Sequence, residues 1–179
     1  MMPMSTSRSD IFFRMLMNQA DGFYFDADGN SNINSDAAKL ALNQVKEIYD
    51  AGLTLEYGSW DEYVTSMKEG TVATVAEAVW IIGSFKEEAP DTKGVWGVME
   101  FPVLGDGHTG VATNGGSVIA IPASTEYPEQ AKTFLSYAMM DVDAQMKSFD
   151  KYGLFPSYLP VFEAEGFTDT DDFFNGESI

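Results

Sequence analysis

Residues 70–85, GTVATVAEAVWIIGSF, constrain this chain more than any other stretch. Residues 72–76 are short, β-branched, apolar and uncharged, and Gly70 sets them off, which is the pattern of a buried strand. Glu77 then places a carboxylate inside the apolar run, and Trp80 follows three residues later. Residues 81–88 read as a short helix. A strand that passes through a loop into a helix puts that loop at the carboxyl edge of a sheet, where open α/β sheets bind ligands. Trp80 offers there a flat apolar face and one N–H donor, which suits a sugar ring or an aromatic ligand. A tryptophan opening a helix equally suits a core position, and the residue types leave both readings open.

The segments upstream are mostly helical. Ser9 is placed to cap a helix over residues 10–19, so residues 1–20 read as a helical lead-in. Residues 23–25 and 32–34 flank Asp26-Ala27-Asp28-Gly29-Asn30, a hairpin with Asp and Gly at its turn. Asp26, Asp28 and Asn30 have the alternate spacing of a calcium loop, but Gly29 stands fourth rather than sixth and no Glu closes the loop. The reading is a solvated turn, with no metal ligand. Ser35 caps a helix over 36–51 whose apolar stripe is Ala38, Ala41, Leu42, Val45, Ile48 and Tyr49, with Gly52 as its stop. Ser59-Trp60-Asp61-Glu62 is a capping box, and Trp60, Tyr63, Val64 and Met67 form the stripe behind it, which puts Trp60 in the core.

Downstream, residues 95–102 read as a second strand and residues 111–113 as a short third. Asn114-Gly115-Gly116-Ser117 breaks the pattern before a buried strand over 118–121. Paired glycines at a strand junction permit positive φ and let a ligand approach the backbone, and they suit a plain bulge as well. Pro128 sits at N1 of a helix over 129–140 with Ala131, Phe134, Leu135 and Ala138 as its buried face. A further short helix over 141–149 leads to a turn at 152–156 that leaves Phe155 semi-exposed. Residues 163–179 form an acidic, aromatic tail without a clear period.

Charge and composition exclude several functions. Lys and Arg total 10 against 28 Asp and Glu, a net charge of −18. That field repels phosphate backbones and anionic membranes, so no nucleic-acid partner is expected. Without cysteine there is no disulfide, thiolate nucleophile or Cys-ligated zinc. His108, the single histidine, lies among glycines with no triad or metal context, and no phosphate-binding glycine motif occurs. No catalytic residue, metal or cofactor is assigned. A carboxylate pair of the glycosidase kind, with Glu77 as one member, is the enzymatic option left open. No leader sequence or membrane-spanning run is visible, and the two ends read as an excised piece of a longer protein.

The ordered set of helix, GTVATVAEAVW, VWGVMEFPVLGDG, NGGSVIAIPAST, EYPEQAKTFLSYAMM and YGLFPSYLPVF, preceded by ADGFYFDADGNSNINSDAAKLALNQVKEIYDAGL, resembles family 1 extracellular solute-binding proteins. The resemblance covers nearly all of the chain from Asp21 onward. It implies an α/β fold of the periplasmic-binding-protein-like class II type, a mixed sheet flanked by helices, in a two-lobed protein roughly twice this length. Residues 1–179 would be a single lobe, mostly the second. The resemblance implies a carbohydrate ligand, permease subunits of an ABC importer as partner, an extracytoplasmic location, and a membrane anchor outside this chain. Trp80 matches the aromatic that stacks on the sugar, Asn114, Gly115 and Gly116 match a cleft-edge glycine motif, and Phe155 lies near a loop that approaches the cleft. With Glu77 these are the candidate ligand-binding residues. A carbohydrate-active hydrolase is the runner-up and an inert structural or adhesion domain the third reading. Half of a two-lobed site is expected to bind sugar only weakly.

Overall fold

Helices begin where the sequence supplies caps and stop where it supplies glycine. The computed structural model describes residues 1–5 and 10–178. Ser9, expected to cap the first helix, lies outside them; α1 spans Ile11–Gln19, with Asp10 at the N-cap position. In α2, Asp36–Asp50, the Ser35 hydroxyl accepts from the Ala38 amide, a bond whose loss typically costs about 1 kcal/mol. Gly52 follows at φ +69°. In α3, Trp60–Lys68, the Ser59 hydroxyl accepts from the Glu62 amide. Glu62 Oε2 in turn accepts from the Gly58 amide at 2.6 Å. α4 spans Ile81–Glu88, α5 Pro128–Met140 with its proline at the N-terminal turn, and α6 Val142–Tyr152 ends at Gly153 with φ +67°.

The chain divides into two compact units. One comprises Met1–Ala78 and Met99–Gly115, the other Val79–Val98 and Gly116–Ile179. In the first, β1 (Met2–Pro3) pairs in parallel with β2 (Thr54–Leu55). The start of the chain is therefore a strand followed by a helix, not a wholly helical lead-in. The core forms where α1 crosses α2: Leu16, Met17, Ala38 and Ala41 are buried, with Phe12, Phe13, Tyr24, Val45, Phe101 and Leu104 against them. Leu42 and Tyr49, expected in the α2 stripe, are exposed. Ala38, Ala41, Val45 and Ile48 keep strict helical spacing and take the buried face, which leaves those two on its flank.

The buried Gln19 side chain ties the returning segment to α1. Its Nε2 donates to the Pro102 carbonyl and its Oε1 accepts from the Leu104 amide, each at 3.0 Å. Near α2, a single antiparallel bridge joins Phe25 and Ser31. The Asp26 carboxylate accepts from the Asp28 and Asn30 amides and from the Asn30 side chain. Its oxygens thus close the turn.

In the second unit, α5 packs on α6, and β3 (Thr170–Asp171) pairs antiparallel with β4 (Glu177–Ser178). Ile81, Ile82 and Phe85 of α4 are buried, and the Phe85 ring meets Trp96 edge-on at 4.9 Å and Phe174 at 6.0 Å. α4 approaches the end of α6 so closely that a Cβ on Gly153 would lie 2.6 Å from the Gly83 nitrogen. Phe134, expected on a buried face of α5, is 67% exposed, and no residue of that helix is fully buried.

Four expected strands form no ladder. Residues 72–76, 95–102, 111–113 and 118–121 carry no strand pairing, and the mixed sheet anticipated from them is absent among the described residues, which hold two two-stranded sheets. Val72 is buried, whereas Val118 is 95% exposed. β-branched residues favour extended backbone, but a ladder needs a partner, which propensity does not supply. The architecture is helix-rich α/β.

Candidate ligand-binding site

Glu77 and Asn114 lie 37 positions apart in sequence, and the first unit brings them into contact. The Asn114 amide nitrogen donates to Glu77 Oε2. The other carboxylate oxygen, Oε1, accepts from the Tyr63 hydroxyl at 3.3 Å. On its opposite side, Asn114 Oδ1 accepts from the Arg14 guanidinium at 3.3 Å. The amide therefore relays a positive charge toward a carboxylate. Tyr63 and Asn114 are buried. Each is fixed by its element: Tyr63 sits one turn into α3, Arg14 projects from α1, and Glu77 stands in the extended run after Val72.

Burial dominates the electrostatics. It pushes the Glu77 carboxyl up to about 7 against the pull of the Tyr63 and Asn114 hydrogen bonds and the Arg14 charge. The Tyr63 phenol is pushed far above its usual range, first by burial and then by the neighbouring Glu77 charge. The Arg14 guanidinium also lies 3.9 Å from Asp10. Hydrogen bonding from Tyr24 holds the Asp10 carboxyl below its ordinary value. A carboxylate and an amide held side by side present planar acceptors and donors to hydroxyl groups.

Aromatic rings continue from this network. Trp60 stacks on Tyr63 with centroids 5.3 Å apart and planes 21° apart, and Tyr57 meets Tyr63 at 4.9 Å and 63°. Trp60 is 42% exposed, so the core position given by its helical stripe is corrected. It occupies the first turn of α3, where the side chain leans back past the helix end.

The remaining candidates are distributed between the units. Gly115 ends the first unit at φ +133° and Gly116 opens the second at φ +105°. A Cβ on either would meet nothing within 4 Å, so these glycines answer to backbone conformation and not to crowding. In the second unit, Trp80 stands at the N-cap of α4 and is 37% exposed. Phe155 is 42% exposed and belongs to a ring cluster, 6.0 Å from Phe149 and 5.8 Å from both Phe162 and Phe167. Sequence reasoning missed Tyr63 as a partner of Glu77 and Arg14 as a partner of Asn114. A tyrosine one turn into a capped helix signals burial but not the direction of its hydroxyl.

The sequence model of the family described as "Bacterial extracellular solute-binding protein" matches residues 2–175. The chain is 30% identical over 170 residues to the lactose-binding protein of Rhizobium radiobacter, which covers 93% of this chain and 40% of that protein. It is 29% identical over 182 residues to the arabinooligosaccharide-binding protein of Bacillus subtilis, covering 97% of this chain and 42% of that protein. A second arabinooligosaccharide-binding protein, from Halalkalibacterium halodurans, is 26% identical over 188 residues, which covers 98% of this chain and 42% of that protein. The chain thus spans about two fifths of the length of these relatives. No solved structure gives a significant match. With a family match running over nearly its whole length, the chain belongs to the bacterial extracellular solute-binding proteins.

Proposed function

We propose that this chain is part of a carbohydrate-binding protein that holds a sugar outside the cytoplasm and hands it to the permease of an ABC importer. The observation that carries this is the match over more than nine tenths of the chain to proteins named for binding lactose and arabinooligosaccharides. The geometry agrees with it. A sugar needs an aromatic platform for its C–H face and planar polar groups for its hydroxyls. Taken by itself, the first unit offers Glu77 and Asn114 as planar polar groups, and the second, taken by itself, offers the partly exposed indole of Trp80. Gly115 and Gly116 leave open backbone for close approach, and Phe155 is a further apolar contact. In this reading the chain contributes one lobe of a periplasmic-binding-protein-like class II fold, and it does no chemistry. The hydrogen-bond partners of Glu77 are a phenol and an amide.

Saturation-transfer NMR of the 179-residue chain with lactose and arabinotriose tests the proposal, because it detects contacts near millimolar affinity. Transfer is expected to the sugar C–H protons. Trp80→Ala is expected to weaken binding by roughly 30-fold, since hiding about 70 Å² of indole is worth about 2 kcal/mol. No transfer to either sugar would end this reading. Release of arabinose from arabinotriose would replace it with the hydrolase.

A further inference from the structure

We propose that residues 117–121 are an open strand edge on which a second copy of this chain adds its own residues 117–121, antiparallel, to form a weak two-fold dimer. The inference is independent of the carbohydrate-binding reading above. Val118, Ile119 and Ile121 are β-branched and favour extended backbone. Yet no amide or carbonyl from 117 to 121 takes part in a backbone hydrogen bond among the described residues. A row of unpaired backbone groups is a template for another strand. The alternation of a strand is already present. Ser117, Ile119 and Ile121 line a groove with Leu135, Met139 and Met140 of α5. Val118 lies on the other face by its period of two. It is 95% exposed, and Ile119 and Met140 are exposed as well. The segment is laid out as a strand beside a helix and lacks only its neighbour.

Charge and symmetry select a second copy. The chain carries a net charge of −18, so two copies repel wherever their charged surfaces face each other. No residue from 111 to 125 is charged, which makes this edge a place where they meet at little cost. Lys132 beside the groove is paired with Glu129 at 2.8 Å. Monomeric proteins guard exposed edges with lysine, proline or a bulge. Here Pro122 only ends the run. Antiparallel pairing of like segments is self-complementary: Ile119 faces its own copy, and Val118 faces Ala120. Five residues extend about 17 Å, and with the flank of α5 the face comes to roughly 350 Å² per copy. The pair thus covers about 700 Å², below the ~1,200 Å² of stable complexes. The dimer is therefore weak and concentration-dependent. Repulsion grows with each added copy, which opposes growth past two.

Sedimentation equilibrium of the 179-residue chain from about 10 µM to about 1 mM tests the inference. The mean mass is expected to rise from that of one chain toward that of two, and to rise further at roughly 0.5 M salt than at roughly 0.05 M, because salt screens the repulsion. Val118→Lys is expected to weaken association at least tenfold, and Val118→Thr to leave it within roughly threefold. Phe134→Lys makes the same charge change at an exposed residue of α5 that does not line the groove, and is expected to stay within roughly threefold as well. Hydrogen exchange on the wild type supplies a readout that needs no variant. Alternate amides of 117–121 should slow at the high concentration in proportion to the fraction paired. A mass that stays at one chain throughout, growth past two copies, or equal losses in Val118→Lys and Phe134→Lys overturns the inference. So does protection of these amides at the lowest concentration, which would mean that the chain's own residues cover the edge.

Discussion

Gly83→Ala is expected to lower the thermal midpoint by roughly 6 °C, although alanine is the better helix former by about 1 kcal/mol. A Cβ at Gly83 would collide with the Tyr152 carbonyl oxygen and sit 3.1 Å from its carbon. Both obstacles are backbone, so no rotamer change relieves them. Overpacking of this kind costs about 3 kcal/mol, which outweighs the gain in propensity and leaves a net loss near 2 kcal/mol. Gly153→Ala should cost more still. Its Cβ would lie 2.6 Å from the Gly83 nitrogen and 2.7 Å from its Cα, and its φ of +67° adds left-handed strain for any L side chain. Differential scanning calorimetry of the two variants against wild type measures this. A midpoint that rises in Gly83→Ala would show that α4 and the end of α6 do not meet this closely.

Glu77→Gln should change the pH dependence of stability more than any other single carboxylate replacement. The Glu77 carboxyl titrates at about 7 in the folded chain, against 4.5 for an ordinary glutamate. Between those values the folded state holds a proton that the unfolded state has released. Stability from this group is therefore fully present at acid pH and falls as pH rises through the window, after which it stays low. The size is on the order of 2 kcal/mol, allowing for solvent screening. Glutamine is neutral throughout and fits the same space. Its oxygen accepts from Asn114, and its nitrogen donates to a Tyr63 hydroxyl turned to accept. The variant should match the wild type near pH 4 to 5 and exceed it near pH 8, by an amount of that order. Urea midpoints at both pH values, wild type beside variant, give the difference directly, and the repulsion within a chain of net charge −18 is largely common to both. A difference that does not vary with pH would mean that Glu77 is solvated and ordinary.

The sequence exposes what is local and hides what is not. Ser35, Gly52 and Pro128 place their helix ends because a cap or a stop acts within one turn. The apolar run after Gly70 also ended as expected, with α4 opening at Ile81, and Trp80, which the residue types leave open between core and surface, is partly exposed before it. The strands were illegible because a ladder needs a distant partner; Val72 and Val118 have the same side chain, and only the first is buried. In the site, Glu77 was visible as a lone charge in an apolar run. Its union with Asn114 depends on the chain returning after residue 98, and the glycine pair marks only where that return ends. Trp60 misled for a geometrical reason. Helical periodicity assigns a face to every residue, but in the first turn that face extends beyond the helix, and enclosure depends on what packs there.

The extended run after Asn114 bears on how the chain behaves in time. From Gly115 to Ile121 no amide donates to a backbone carbonyl among the described residues, and Val118 and Ile119 stand largely in solvent. Protection from isotope exchange comes from hydrogen bonds that must open before solvent enters. These amides have no such bond to break, so deuterium enters them at nearly the rate of an unstructured peptide while the crossing of α1 and α2 still excludes it. The stretch behind the glycine pair is thus a fast clock, a built-in reporter of anything that comes to cover it.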